Sequence, residues 1–157
     1  MTRRSRAHDS MLRIARSAAG IIAVALVIDA AAAAPAGVTL SKPWIRFILP
    51  SRPAAGYFTL TNTADKVAVL DGVKSPACGE LMLHRSIREG GIERMTMESS
   101  VDIPAHGTLR FAPGGYHLMC VSPTAALAPG GNIAVTLHFR DGSELTAAFP
   151  VRSMKDE

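Results

Sequence analysis

The chain has 157 residues, with 17 Lys and Arg against 13 Asp and Glu. Five of the basic residues and two of the acidic ones precede Gly37, so from Gly37 onward the balance is 12 minus 11, or +1. The high calculated pI is therefore a property of the leader, no sequence run of basic residues interleaved with aromatics remains, and nucleic-acid binding is excluded as the expected activity.

In chain order, the first feature is Arg3, Arg4, Arg6, Arg13 and Arg16, followed by an apolar run over residues 18–28 and a small-residue stretch over 30–37. A positive head, a short apolar core and an Ala-x-Ala site predict a secretory signal peptide, residues 1–36, cleaved after Ala36. The run is too short to span a bilayer comfortably. No later segment is long and apolar enough to do so, so no membrane span is expected after cleavage, and the periplasm is the expected location.

Residues 37–157 are of one-domain length. Short β-branched and aromatic runs alternate with Gly, Pro and Asp, and no ten-residue segment keeps a helical apolar period. Strands are predicted near 38–45, 56–62, 67–74, 80–87, 92–98, 107–111, 116–121, 132–139 and 144–151. Glu89-Gly90-Gly91 and Arg140-Asp141-Gly142-Ser143 read as tight hairpins. Pro113-Gly114-Gly115 fixes the start of the strand after it. Many short strands at this spacing give an all-β Greek-key sandwich or barrel.

Within this frame His84, Met95, His117 and Met119 stand with ten, twenty-one and one residues between successive members. Thioether sulfur is a neutral, polarisable donor and imidazole a borderline one, so the set suits Cu(I) rather than calcium, magnesium or a hydrolytic zinc. The competing account is that Met fills core gaps and His sits at a core edge. Against it, Met82, Met95, Met97 and Met119 cluster in one window. Side chains two apart on a strand share a face. Met82 with His84, Met95 with Met97, and His117 with Met119 thus form three pairs of soft donors. Met82 and Met97 either pack beside the site or form a secondary sulfur shell.

By the same alternation Cys120 faces away from His117 and Met119. This weakens a blue-copper reading, which needs a Cys thiolate beside two His. Cys78 and Cys120 meet an oxidising compartment after export and form a disulfide or remain buried thiols. His106 reads as an exposed loop residue and His138 as a strand-face residue. Trp44, Tyr57 and Phe58 read as core or rim aromatics. No Ser/His/Asp or Cys/His arrangement proposes nucleophilic catalysis, and the chain is not expected to be an enzyme.

The spacing of His84, Met95, His117 and Met119 resembles the signature of the PCuAC-type periplasmic copper chaperones. Leu83-His84, the glycine turn before Met95, Ile103-Pro104-Ala105 and Phe111-Ala112-Pro113-Gly114-Gly115-Tyr116-His117-Leu118-Met119 also look like that family. The likeness runs from about Trp44 to Val151. It implies a cupredoxin-like β-sandwich that holds one Cu(I) through those four residues and passes it to another protein; the domain is expected to act as a monomer. The acceptor implied is a cytochrome c oxidase subunit, at its binuclear copper centre, or another copper chaperone. A His- and Met-rich C-terminal tail found in some relatives is not matched by residues 152–157. Two other readings remain: a cupredoxin-like electron-transfer protein, and a metal-free periplasmic binding module.

Overall fold

The computed structural model describes residues 33–153. The leader expected over residues 1–36 lies, up to residue 32, outside the described residues. Ala33 O accepts a hydrogen bond from Glu144 N, and Pro35 is buried, so the peptide just before Gly37 is laid along the domain.

Among the described residues ten strands are formed: β1 Val38–Arg46, β2 Ala54–Asn62, β3 Ala68–Lys74, β4 Cys78–Glu89, β5 Ile92–Met97, β6 Val101–Ile103, β7 Gly107–Phe111, β8 Tyr116–Pro123, β9 Asn132–Phe139 and β10 Glu144–Arg152. Hydrogen bonds join them in the order β5-β4-β8-β7-β2-β1-β10-β9-β3-β6, with β8 also bonded to β2. Pairings are antiparallel except β1 with β10 and β7 with β8. The sheet turns over where β1 meets β10, so that β3 packs on β4 and β6 on β7. This is the all-β Greek-key sandwich the sequence implies, its layers being β5-β4-β8-β7-β2-β1 and β10-β9-β3-β6.

Nine of the ten strands coincide with predicted runs. The tenth, β6, has three residues, and Asp102 and the following Pro104 hide it from any propensity argument. It forms because β3 supplies its partner, pairing Ala68 with Ile103 and Leu70 with Val101.

Between the layers Phe58 stacks on Phe111 with ring centroids 4.2 Å apart and meets Phe149 edge-on at 5.7 Å. Leu60, Leu70, Leu118, Leu137 and Ile45 complete a core with no measurable exposure. Buried Asn62 is fully engaged: its Nδ2 donates to Lys66 O and Ile103 O, and its Oδ1 accepts from Ala64 N. Satisfied in this way, a buried amide fixes the turn after β2.

Cys78 and Cys120 form a disulfide that ties the start of β4 to β8, 42 residues apart. Closing a loop of that size removes about 4 kcal/mol of denatured-state entropy. Replacing both cysteines by alanine should therefore lower unfolding free energy by roughly 3–4 kcal/mol in urea titrations. An unchanged midpoint would mean that the bridge constrains nothing.

Candidate metal centre

The centre is built by strand alternation. On β4, Leu81 and Leu83 point into the core while Met82 and His84 point outward. On β8, Leu118 and Cys120 are the core residues, and His117 and Met119 take the other face. The antiparallel register sets Met82 opposite Met119 and His84 opposite His117. The apolar pattern enforces it, because a one-residue slip would send Leu118 outward and His117 into the core.

The third strand is placed by its turn. Glu89 pairs with Ile92, leaving a two-residue loop of Gly90 and Gly91, whose φ values of 58° and 83° are left-handed. Only glycine accepts that conformation twice in succession at little cost, and it is the tight hairpin geometry. Counting back from the turn, Met97 falls opposite His84 and Met95 opposite Ser86. Cross-strand partners share a face. Met82, His84, Met95, Met97, His117 and Met119 therefore lie on one outer face, with His84 at the centre.

The four expected ligands are thus collected unevenly. His84 and His117 are direct partners with ring centroids 5.8 Å apart and planes at 61°. Met119 is next to His117 on the same face and diagonal to His84. Met95 is also diagonal to His84, from the opposite strand. Met97 is a nearer lateral neighbour of His84 than Met95 is, a relation the motif spacing does not reveal but counting from the glycine turn does. Met95 and Met97 are 66% and 68% exposed, so neither fills a core gap.

Burial grades across the face. His117 is 7% exposed although it sits on the outer side. Its Nδ1 lies 3.1 Å from Gly115 O. A carbonyl only accepts, so Nδ1 carries the proton and Nε2 presents a lone pair, the tautomer a metal ligand needs. The Nδ1 of His84 is buried without a hydrogen-bond partner. An unmet buried nitrogen costs free energy that a coordinated cation or a proton donor would recover. Burial, and then repulsion from His117, holds the His84 imidazole below its ordinary pKa of 6.5. Both effects favour the neutral form that can bind a metal.

Among the described residues no group of three or more His, Cys, Asp or Glu is placed to hold a metal ion. Cys120 is tied to Cys78 on the core side and offers no thiolate. The donors grouped around His84 on this face are therefore imidazole and thioethers, a neutral, soft set that fits a monovalent copper ion. The other histidines are elsewhere. His106 is exposed in a loop with Nε2 at 2.8 Å from Asp65 Oδ1, and His138 Nδ1 is 2.8 Å from Glu144 Oε1.

Comparison with known proteins follows the same lines. The family model LpqE-like, described as a lipoprotein family, matches residues 38–151. Protein Lxx21020 of Leifsonia xyli subsp. xyli, named as a lipoprotein, is 36% identical over 138 residues, covering 85% of this chain and 82% of that protein. The copper-bound PCuAC domain from PmoF2 superimposes with a TM-score of 0.63 at 25% identity, over 74% of this chain and 93% of that one. Cu(I)-bound DR1885 from Deinococcus radiodurans gives 0.62 at 31% identity, over 78% and 83%.

The depressed imidazole has a thermodynamic consequence. The unfolded chain takes up a proton near 6.5, whereas folded His84 does so only at lower pH. Its contribution to stability is present above 6.5 and is lost as pH falls through the folded value. Urea midpoints of metal-free protein at pH 7 and pH 5 should differ less in His84→Gln than in the parent. Equal differences would show that His84 titrates as in a free peptide.

Proposed function

This chain belongs to the LpqE-like family, and we propose that it is a copper chaperone that holds one Cu(I) through His84, Met95, His117 and Met119 and surrenders it to an acceptor protein. The carrying observation is that two metal-competent imidazoles face each other across β4 and β8 with thioethers around them and no ionisable sulfur or carboxylate in the set. The copper-bound PCuAC domain from PmoF2 and the Cu(I)-bound DR1885 that it resembles support the same cargo. Copper is here a substrate to be passed on, and an open site serves that purpose better than a closed one.

The chemistry follows from the donors. Thioethers bind without losing a proton and bring no negative charge, which favours Cu(I) over Cu(II). His117, pinned by Gly115 O, is the fixed member. Met95 stands on the exposed edge strand, where a thioether can be exchanged for an acceptor's ligand one bond at a time. Met97, directly beside His84, is positioned to substitute for Met95 during that exchange. An electron-transfer role is disfavoured because Cys120 is tied up in the disulfide.

Export by the leader over residues 1–36 places the domain in the periplasm, and the intact mass of the exported protein should begin at Gly37. The acceptor we propose is the binuclear copper centre of cytochrome c oxidase or another periplasmic copper chaperone. Loss of the gene should then lower oxidase copper content under copper limitation, and normal content would remove the oxidase from the assignment.

Anaerobic competition titration tests the site. Wild-type protein should take up one Cu(I). Met119→Leu should weaken it by about tenfold or more, with a stability change below about 1.5 kcal/mol because the side chains are close in volume. The pH dependence of affinity should have a limiting slope of no more than two protons per Cu(I), since only two histidines compete with protons. Unfolding by Met119→Leu with copper binding retained would restore the core-filling account of this methionine.

A further inference from the structure

The outer face that carries the soft donors continues without a break into a different chemistry. Met82 is opposite Met119, Met119 opposite Ala55, Ala55 opposite Arg46, and Arg46 beside Arg152. One row of cross-strand partners thus runs from β4 through β8, β2 and β1 to β10, and Arg46 stands two strand spacings, about 10 Å, from Met119. Trp44 is opposite Tyr57 on the same face, with ring centroids 4.7 Å apart. The Arg46 guanidinium lies 5.6 Å from both rings, and that of Arg152 lies 5.1 Å from Trp44. Both guanidinium groups are thus within cation–π reach of the indole.

Beside this stack a cleft of about 420 Å³ opens, lined among others by Lys42, Trp44, Tyr57 and Arg110. A bulge between Ser41 and Trp44 shapes it, with Lys42 at a left-handed φ of 52°. A bulge turns the flanking side chains out of the simple alternation, here bringing lysine to the cleft rim. Among the described residues the ion pairs are Arg88–Glu93, His106–Asp65, His138–Glu144 and Arg140–Asp71, and none engages Lys42, Arg110 or Arg152. The carboxylates on strands β4 and β5 of this face are Glu80, beyond Met82, and Glu93, tied to Arg88. With a balance of only +1 from Gly37 onward, this grouping of cations reflects sorting in space rather than overall charge.

We propose that this face is where the copper acceptor docks, and that the acceptor is a protein presenting an acidic patch beside its own copper ligands. Its carboxylates meet Arg152 and the Lys42–Arg110 cleft while its metal-binding residues face Met119 and His84. The inference rests on the copper-chaperone reading for the cargo, but the charge complementarity stands apart from it. The shared row of partners favours an acceptor of this kind over an anionic lipid surface, because Arg152, three strand spacings from Met119 in that row, orients a molecule that must reach the soft donors. Complementary charge acts mainly on encounter rate and is screened by salt.

Two peptides serve as probes, each carrying a Met-x-x-Met copper-binding sequence, one flanked by four aspartates and the other by four asparagines. Trp44 is the only tryptophan, so its emission reports occupancy of the face in metal-free protein. The aspartate peptide should shift that emission and the asparagine peptide should not. With Cu(I)-loaded protein at low salt, transfer to the aspartate peptide should be at least tenfold faster, and the advantage should vanish at high salt. Arg152→Gln and Lys42→Gln/Arg110→Gln should abolish the advantage while leaving Cu(I) affinity, thermal midpoint and transfer to the asparagine peptide unchanged. Equal transfer rates for the two peptides, or variants that still discriminate, would overturn the proposal. So would co-sedimentation with anionic phospholipid vesicles under conditions where the aspartate peptide leaves Trp44 unaffected. Absence of Cu(I) binding with the Trp44 response intact would remove the cargo and leave the acidic partner.

Discussion

Everything at the metal face depends on the alternation of side chains across a sheet whose other side is a packed core. Leu81, Leu83, Leu118 and Cys120 are drawn inward by apolar burial, and their neighbours Met82, His84, His117 and Met119 are thereby sent outward. The site is in this sense a by-product of the core: no hydrogen bond between the two histidines is needed to bring them face to face. A one-residue slip between β4 and β8 would exchange the two sets, and the cost of exposing the leucines prevents it. The disulfide from Cys78 to Cys120 holds the same strand pair from behind.

A second constraint acts at the edge. Among the described residues β5 has no partner beyond it, so its register is fixed by β4 and by the two glycines of its turn. An edge strand of six residues, all exposed, is the least supported part of the sheet. Met95 and Met97 ride on it. Of the candidate ligands, His117 is the most constrained, buried and hydrogen-bonded to Gly115 O, and the thioethers at the rim are the least. That gradient gives the candidate site a buried end and an exposed end, which a closed tetrahedral cage on four central strands would lack.

The sequence made much of this legible because its signals are local. Strand positions follow from period-two patterning and turn residues, and the pairing of His117 with Met119 follows from a spacing of two. The location of β6 was not legible, since three residues including Asp102 become a strand only when β3 lies alongside. The nearness of Met97 to His84 was concealed by reading along the motif rather than across the hairpin. The cationic face was hidden more deeply, because Lys42, Arg46, Arg110 and Arg152 come from three strands remote in sequence. Reading the chain for a linear basic run missed the patch entirely.

Charge explains why the two halves of the face differ. A cargo site meant to prefer a monovalent ion must avoid carboxylates, and thioether and imidazole donors leave the bound complex with the charge of the metal alone. Such a neutral site attracts no partner over distance, since thioethers carry no field beyond contact. Recognition then has to be supplied beside the ligands rather than by them. Guanidinium groups do so without competing for copper, because they remain protonated and have no lone pair to offer. Arg152, exposed and within cation–π reach of Trp44, is the guanidinium placed to meet a carboxylate. Separation of metal affinity from partner affinity lets either change without disturbing the other, and on one sheet face it requires only that the two sets occupy different strands.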